Sequence, residues 1–369
     1  MKPEKENLKI LVGMPEKTAR GGINACEPPF LRELEKRGVT VREEIYTFDN
    51  AAEIPILQRI AQVWKTAAKF RRALLAEDFD LLHLNTSFET KSILRDAFSL
   101  FWIKKRRAKI FLKFHGSDVE LLERANFALR ILIRGLLKKA DGIGLLSSEE
   151  KRGFARSGFD GNKFFVVKNA LTFAAEKSFP PVENFSAGKP ARLIFVSRLI
   201  PTKGLLETVR AVAILRDEGF DVVLEVLGDG ETRPIAEELA KSLKIDEFVN
   251  FHGHVGEETV QEFYRAGDLL VFPTFHIEGF PMVIFNALQF GLPVVTTRIR
   301  AAADYLKDGE NALFCAAKNS RSVAEKIAEI IDNKDLREKM RENNRALAGE
   351  FTAEKIAPEY LEIYRKVVS

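Results

Sequence analysis

One segment of the chain, residues 276–297, combines a carboxylate, a glycine turn, a helix start and a buried strand. Gly279 lets the backbone approach a ligand closely. A helix that begins near Pro281 would aim unpaired N–H groups and its positive dipole end at an anion. Glu278 stands directly before that helix, where its carboxylate would face the hydroxyl groups of the same ligand. The segment therefore predicts a site for a sugar phosphate.

A second loop brings two cations to the start of another predicted helix. Arg198 ends a strand, and Lys203 follows five residues later, directly before a helix that opens at Gly204. The guanidinium fork and the ammonium suit a diphosphate, because they can neutralise the charge that grows on a leaving group. The alternative is a pair of solvated surface charges, since 57 basic residues make some such pairs inevitable.

Apolar runs typical of buried strands alternate with amphipathic helical segments, and this rhythm predicts parallel sheets covered on both faces. In the first half of the chain these runs are 8–14, 39–48, 80–85, 108–116, 141–147 and 163–169. After a loop at 184–190 the rhythm restarts with 191–198, 220–230, 247–253, 268–274 and 292–297. Ligands of open parallel sheets bind at the carboxyl ends of the strands, which is where both candidate loops lie.

This organisation predicts an α/β protein of two doubly wound, Rossmann-like domains with a hinge near residue 187. We expect an N-terminal domain over 1–186 and a C-terminal domain over 187–352, and 369 residues suit two domains of roughly 100–200 residues each. A long charged helix is expected from Ser320. The last helix, within 353–369, has no following strand and is expected to pack back on the first domain.

Composition is that of an ordinary globular protein, with 46% hydrophobic and 30% charged residues. Cys26 and Cys315 lie far apart and lack metal-ligand spacing, so we expect reduced thiols in a cytosolic compartment. The amino terminus lacks the long apolar core of a secretory signal. The most apolar helical candidate, 127–137, is interrupted by Arg130 and Arg134 and is shorter than the ~20 residues that a membrane span needs. We expect a chain that does not cross a membrane.

The motif R-x-x-x-x-K-G after a strand, followed by E-G-F-P, resembles the retaining glycosyltransferases of family 4, which are group 1 glycosyl transferases with the GT-B fold. The resemblance covers essentially the whole chain, through a Gly-Gly pair in the first loop, H-G-S-D, K-N-A and G-D-G. It implies two Rossmann-like domains that face a central cleft. It also implies a nucleotide diphosphate sugar as co-substrate, with no other cofactor and no metal.

The resemblance assigns roles to individual residues. Arg198 and Lys203 match the pair that holds the nucleotide diphosphate and stabilises it as it leaves. Glu278 matches the acid that hydrogen-bonds the donor sugar, and His115 matches a histidine that reaches the sugar from the first domain, so catalysis would need domain closure. The other implied donor-binding positions are Gly21, Gly22, Asn169, Gly228, Gly279, Phe280, Pro281, Met282 and Asn286.

The chain departs from the family pattern at position 286. The E-x7-E motif expects a second acid there, which contacts the nucleotide ribose, and this chain has Asn286. Asparagine lacks the charge that strengthens bonds to hydroxyl groups, a difference of about 1–2 kcal/mol when buried. Two alternatives stay open: Asn286 packs in its helix without touching ligand, and His115 bonds only locally at its strand end.

No metal site is predicted from the sequence. Asp78 and Asp80 mimic the D-x-D of metal-dependent transferases, but they precede a strand instead of following one. His252 and His254 have metal-like spacing, yet no third ligand of matching type lies nearby in sequence. The chain also lacks G-x-G-x-x-G, which disfavours a dinucleotide oxidoreductase, and its Gly-Gly pair alone is equally compatible with a simple tight turn.

Charge is divided unevenly along the chain. Residues 1–185 carry 33 Lys and Arg against 24 Asp and Glu, whereas residues 186–369 carry 24 against 29. A basic half indicates an anionic surface as a partner. Two segments, 101–109 and 124–139, combine cations with aromatic or aliphatic residues and could rest on anionic lipid headgroups. A solvated helix face is the alternative. Nucleic acid is disfavoured because no recognised nucleic-acid module is present.

The sequence therefore predicts a cytoplasmic, metal-independent glycosyltransferase of the hexosyltransferase type. It would transfer a sugar with retention from a nucleotide diphosphate donor to a glycan or lipid-linked acceptor, in cell-surface polysaccharide or glycolipid synthesis. Peripheral association with the inner face of the plasma membrane is a further hypothesis. A nucleotide-sugar epimerase on a GT-B scaffold and a noncatalytic partner subunit are the alternatives, and intact Arg198, Lys203 and Glu278 argue against the second of these.

Overall fold

A computed structural model describes residues 7–17, 21–48, 55–103, 107–173 and 188–369. The chain divides into two compact units. The first unit comprises residues up to Thr172 together with Phe351–Ser369, and the second unit comprises Phe173–Glu350. The predicted hinge near residue 187 lies outside the described residues, because the description stops at residue 173 and resumes at 188.

A six-stranded, all-parallel sheet forms the centre of the first unit. Its strand order is β2-β1-β3-β4-β5-β6, so the chain reverses direction across the sheet between β1 and β3. The central strands are apolar and buried over most of their length, as expected for strands covered on both faces. The strands are β1 (Lys9–Pro15), β2 (Thr40–Thr47), β3 (Leu81–Phe88), β4 (Lys109–Ser117), β5 (Gly142–Leu145) and β6 (Phe164–Val166).

Helices cover the sheet of the first unit. They are α1 (Gly22–Lys36), α2 (Ile56–Ala76), α3 (Thr90–Ile103), α4 (Leu121–Arg124), α5 (Phe127–Lys139), α6 (Ser148–Arg156) and the C-terminal helix (Ala353–Val368). The C-terminal helix packs on α1, where the rings of Phe30 and Tyr360 lie 4.5 Å apart. It also reaches the sheet, because the Tyr364 hydroxyl and His83 Nδ1 on β3 are 2.7 Å apart.

A second six-stranded, all-parallel sheet forms the centre of the second unit, in the order β12-β11-β10-β7-β8-β9. The first and fourth strands of this unit, β7 and β10, are therefore neighbours in mid-sheet, and Leu269 pairs with Leu193. The strands are β7 (Ala191–Val196), β8 (Val222–Leu227), β9 (Val249–Gly253), β10 (Leu269–Phe272), β11 (Val294–Thr296) and β12 (Ala312–Phe314).

The second unit differs from the sequence-based expectations in one helix and one strand. The helices are α7 (Leu205–Asp217), α8 (Arg233–Ser242), α9 (Glu257–Ala266), α10 (Met282–Gln289), α11 (Arg300–Tyr305), α12 (Ser320–Asp332) and α13 (Lys334–Ala348). The chain forms two helices where a single one was expected from Ser320. The break occurs at Asn333, whose side chain accepts a hydrogen bond from the Leu336 N–H and caps the start of α13. The strand β12 was not predicted, since a three-residue run carries little periodicity.

No helix among the described residues combines the length and the apolar character that crossing a bilayer requires. The longest, α2, has 21 residues, and five of them are Lys or Arg. Both cysteines are free and buried.

Candidate functional site

The two loops singled out in the sequence meet at the carboxyl edge of the second sheet. The loop after β7 carries Arg198 and Lys203, and the loop after β10 carries Glu278. β7 and β10 are hydrogen-bonded neighbours, and the strand order runs in opposite directions from them. At such a point the loops after the two strands leave in opposite directions and open one crevice between them. The topology therefore explains how residues 75 positions apart come together.

Lys203 and Glu278 form an ion pair in this crevice. The Lys203 ammonium donates a hydrogen bond to Glu278 Oε1, and both side chains are largely shielded, with 8% and 17% of their surfaces exposed. Lys203 ends a 3-10 turn over Pro201–Lys203, and Gly204 follows it in the left-handed region with φ of 85°. This backbone path points the lysine inward. A Cβ on Gly204 would lie 2.5 Å from the Pro273 carbonyl oxygen, so this close approach of the two loops requires glycine.

A backbone hydrogen bond and a side-chain hydrogen bond tie the two loops to each other. Phe275 N–H donates to the Thr202 carbonyl at 2.9 Å, and the Thr202 hydroxyl lies 2.8 Å from His276 Nδ1. Burial, and next the charge of Lys203, lower the pKa of His276 from its usual 6.5. His276 therefore favours the neutral form beside Lys203 and Glu278. His276 was not predicted as a site residue, because its only signal in the sequence is its place two residues before Glu278.

Arg198 is exposed, and the loop after β8 packs against the backbone on either side of it. Gly228 has φ of 129°, and a Cβ there would lie 1.8 Å from the Ser197 carbonyl oxygen. Leu199 N–H donates to the Asp229 carbonyl at 2.9 Å, which fixes the Arg198 loop on both sides. Gly228 was predicted to bind the sugar donor. In this structure its lack of a side chain allows the backbone packing that positions Arg198.

The helix α10 starts directly after the Glu278 turn. Pro281 precedes its first residue, Met282, and Gly279 and Phe280 are buried. The Phe280 ring stacks on Phe285 with ring centroids 3.8 Å apart, which fixes the turn against the helix. Asn286 is 7% exposed, one turn beyond Met282 along the same helix. Gly279, Phe280, Pro281, Met282 and Asn286 thus share one element with Glu278.

The first unit has its own polar cluster around His115, near the end of β4. His115 Nε2 lies 2.8 Å from Asn85 Oδ1 on β3 and 3.7 Å from Glu27 Oε1 on α1. Glu27 accepts a hydrogen bond from the Lys113 ammonium at 2.5 Å, and these two side chains are 0% and 1% exposed. Neither Glu27 nor Lys113 was predicted as a site residue, because the ion pair links positions 86 apart and one partner lies within an apolar strand pattern.

Cys26 Sγ, Glu27 and His115 offer three potential metal ligands within 4.8 Å of one another. The Lys113 ammonium already donates to the Glu27 carboxylate, so a cation stands where the positive charge of a metal would be needed. Burial also raises the pKa of Cys26, which opposes the thiolate form that binds metals. The cluster is better explained as a buried ion pair that abuts His115.

The remaining predicted residues of the first unit lie elsewhere on it. Gly21 precedes α1 and is exposed, with φ of 154°, and Gly22 is the first residue of α1. Residues 18–20 of the same loop lie outside the described residues. Asn169 is 3% exposed after β6, and its Oδ1 atom has no hydrogen-bond partner within the described part of the chain.

The buried histidines predict a stability that falls with acidification. Burial, and next the charge of Lys113, hold the pKa of both His83 and His115 well below 6.5. Below about pH 6.5 the unfolded chain therefore binds more protons than the folded one, and each histidine lowers the free energy of unfolding by up to about 1.4 kcal/mol per pH unit.

Urea denaturation followed by tryptophan fluorescence checks this dependence, because the chain's two tryptophans, Trp64 and Trp102, both lie in the first unit. The variant His115→Gln is expected to lose about half of the decline between about pH 6.5 and 5.5. An unchanged decline in the variant would contradict a depressed pKa at His115.

The two-unit architecture is that of the GT-B fold. The crystal structure of Anabaena Alr3699/HepE in complex with UDP-glucose is similar, with a TM-score of 0.74 and 19% identity over 97% of this chain and 100% of that chain. A sucrose-phosphate synthase structure from Thermosynechococcus elongatus gives a TM-score of 0.77, with 17% identity over 98% and 99%. At these identities the likeness concerns the fold, and the predicted α/β fold of the GT-B type is confirmed.

The second unit contains the family match. Residues 178–347 match the family model of glycosyl transferases group 1, which supports the group 1 assignment made from the sequence. The chain is 30% identical to the capsular polysaccharide biosynthesis glycosyltransferase CapM of Staphylococcus aureus, over 58% of this chain and 54% of CapM. It is 26% identical to an uncharacterized glycosyltransferase of Haemophilus influenzae, over 64% and 65%. These two matches span less than two thirds of each relative.

Proposed function

We propose that the chain is a retaining glycosyltransferase of family 4 that moves a sugar from a nucleotide diphosphate sugar to a glycan or lipid-linked acceptor. The observation that carries this proposal is the shielded pair of Lys203 and Glu278, which joins the two switch-point loops. A cation and a carboxylate side by side suit a ligand that presents a phosphate next to sugar hydroxyls.

Arg198 and Lys203 would neutralise the diphosphate as it departs. Lys203 is buried and Arg198 is exposed, and both lie on the loop after β7, so a diphosphate that reaches this loop can contact both. A fixed cation in a shielded position stabilises developing charge more than a mobile one in water, because little reorganisation is needed. When a phosphate oxygen pairs with the Lys203 ammonium, the Glu278 carboxylate becomes available to accept hydrogen bonds from the hydroxyls of the donor sugar.

The other predicted residues complete the donor site in this proposal. The backbone of Gly279, Phe280 and Pro281 would line the sugar and phosphate at the start of α10. Asn286 would contact the nucleotide ribose as a neutral hydrogen-bonding group. His115 would act as an uncharged hydrogen-bond partner to the sugar from the first unit, since its pKa is well below 6.5.

Charge relief by protein cations supports a mechanism without a metal. Three positive contributions converge at the loop after β7: Arg198, Lys203 and the helix that follows Gly204.

The relative CapM acts in capsular polysaccharide biosynthesis. This supports a place in cell-surface polysaccharide or glycolipid synthesis. We further propose a position on the cytoplasmic side, in peripheral contact with the membrane.

Turnover of a panel of nucleotide sugars tests the proposal. The wild-type chain is expected to hydrolyse at least one donor slowly without acceptor, and Glu278→Gln is expected to lower that rate at least about 100-fold, because the sugar loses a preorganised contact. Glu247→Gln is the matched control, since Glu247 is an exposed acid of the same unit.

Three outcomes would each remove part of the proposal. Donor turnover that survives in Glu278→Gln would contradict the role of the acid. A product whose anomeric configuration, read by NMR, is opposite to that of the donor would contradict retention. Loss of turnover in a chelator, restored by a divalent cation, would contradict the metal-free mechanism.

A further inference from the structure

The outer surface of the first unit carries an unusual set of exposed aromatic and aliphatic side chains on two neighbouring helices. On α2 the exposed apolar residues follow one stripe at helical spacing, and on α3 they do the same. The name apolar ridge is used here for six of them: Leu57, Ile60, Trp64, Phe98, Phe101 and Trp102. Large apolar side chains normally face the core, so a contiguous exposed set indicates an interaction surface.

The ridge is continuous across the two helices. The rings of Trp64 on α2 and Trp102 on α3 lie 6.3 Å apart with their planes at 80°, and Trp102 contacts Phe98 and Phe101 at 6.2 and 6.4 Å. The contacts leave much of each side chain open to solvent, with Leu57 77% and Phe101 66% exposed. Both faces of α3 are therefore apolar, one toward the core and one outward.

Cations surround the ridge. The helices α2, α3 and α5 together contain eleven Lys and Arg residues and one acid, Asp96. Asp96 is buried, pairs with Arg95 and accepts hydrogen bonds from the hydroxyls of Tyr46 and Thr86. This pair adds no net charge to the surface, and ten cations remain on the three helices. The Lys139 ammonium on α5 lies 5.6 Å from the Phe101 ring centroid, which brings the cations of α5 to the edge of the ridge.

We infer that the apolar ridge docks on an anionic lipid bilayer. Aromatic side chains favour the boundary between headgroups and acyl chains, and the surrounding ammonium and guanidinium groups would contact anionic headgroups. A second copy of the chain fits poorly, because the same net positive helices would face each other. Nucleic acid also fits poorly, since Leu57 and Ile60 offer nothing to a phosphate or a base. The surface would bring a lipid-linked acceptor toward the enzyme, and to that extent the inference rests on the proposed function.

From the sequence, the membrane contact was predicted on 101–109 and 124–139. The structure adds α2, whose exposed apolar stripe was not singled out, while residues 104–106 lie outside the described residues. On α5, Arg130 donates to the carbonyl oxygens of Glu123 and Ala125, so part of its hydrogen-bonding capacity is used within the protein. The exposed cations Arg134 and Lys138 remain as headgroup contacts.

The chain carries a built-in reporter, because its only two tryptophans, Trp64 and Trp102, both belong to the ridge. Vesicles made of equal parts phosphatidylglycerol and phosphatidylcholine are expected to shift the tryptophan emission to shorter wavelength, and brominated acyl chains are expected to quench it. Vesicles of phosphatidylcholine alone are expected to bind far more weakly, and added salt to release the protein. No donor or acceptor is present, so the result is independent of transferase activity.

Two sets of variants locate the contact. Leu57→Gln with Phe101→Gln is expected to lower the vesicle partition coefficient about 100-fold, roughly tenfold for each side chain. Lys65→Gln, Arg134→Gln and Lys138→Gln together are expected to lower it about 100-fold for anionic vesicles only. Ile235→Gln is the matched control, since Ile235 is an apolar side chain of the second unit that is 55% exposed.

Several results would overturn the inference. These are absence of binding to anionic vesicles, binding without quenching of the tryptophans, and binding that the ridge and cation variants leave unchanged. If Leu57→Gln with Phe101→Gln instead alters the sedimentation of the protein without vesicles, the ridge is a contact between copies and not a lipid surface. Circular dichroism of each variant confirms that a weakened partition does not arise from unfolding.

Discussion

Replacing Lys203 with alanine is expected to lower donor turnover about 100- to 1,000-fold, because the substitution removes a fixed charge from the position where the leaving diphosphate develops its own. The side chain is only 8% exposed and is bonded to Glu278, so neither water nor a neighbouring cation can readily take its place. Steady-state turnover of the preferred nucleotide sugar measures the effect. Lys241→Ala serves as control, since Lys241 is an exposed lysine of the same unit.

A double variant separates two reasons for that loss. In Lys203→Ala the Glu278 carboxylate stays in the crevice without its cation and repels a diphosphate. Lys203→Ala with Glu278→Gln removes that repulsion, so diphosphate affinity is expected to recover in part while turnover stays low. Recovery of turnover in the double variant would contradict a role for Lys203 in the departure of the leaving group.

Replacing Lys113 with methionine is expected to lower the free energy of unfolding of the first unit by about 3–5 kcal/mol. The substitution leaves the Glu27 carboxylate, which is 0% exposed, without its cation in the interior. A buried charge without a partner keeps its full desolvation cost. Urea denaturation followed by the fluorescence of Trp64 and Trp102 measures the change in this unit.

Two controls accompany that measurement. Glu27→Gln with Lys113→Met removes both charges and is expected to regain most of the lost stability. Lys366→Met breaks an exposed pair with Glu362 on the C-terminal helix, where both side chains are more than half exposed, and is expected to cost less than about 1 kcal/mol. A loss for Lys113→Met as small as that for Lys366→Met would contradict a buried, mutually dependent pair.

The sequence predicted most of the fold because parallel strands covered on both faces are distinctive. Each of the eleven predicted apolar runs overlaps one of the strands β1 to β11, although β1, β3 and β4 extend past the ends of their runs. The missed strand, β12, spans only Ala312–Phe314, and its partner β11 supplies the context that makes it a strand. The break at Asn333 was missed because one asparagine within a charged helical pattern is not enough to identify a helix N-cap. The order of strands within each sheet was also beyond the sequence, since it depends on which edges pair in three dimensions.

The sequence could predict those site residues that lie in a loop directly after a strand. Arg198, Lys203 and Glu278 each follow a recognisable strand, so their loops were expected at the same sheet edge. Their direct contact was not expected, because it depends on β7 and β10 being neighbours. The contribution of His276 arises only when the Thr202 hydroxyl meets its ring. Glu27 and Lys113 escaped notice for a similar reason, since each looks like an ordinary charge until the fold buries both.

The apolar ridge illustrates a different limit. Helical periodicity in α2 and α3 identifies apolar faces but does not state which face the sheet covers. Phe101 and Trp102 were noted beside basic residues, whereas Leu57, Ile60 and Trp64 were not singled out. The structure buries Phe70 and Ala73 of α2 and leaves the other stripe outside.

Calorimetric titration of nucleoside diphosphates and their sugar conjugates into the wild-type chain and Lys203→Ala tests the central claim most directly. The claim is that the crevice between the loops after β7 and β10 holds a nucleotide diphosphate. The account predicts that at least one nucleoside diphosphate binds the wild-type chain, and that Lys203→Ala loses at least about tenfold in affinity, as expected for one charge-assisted hydrogen bond. Absence of binding by any of them, or equal affinity in the variant, would contradict it.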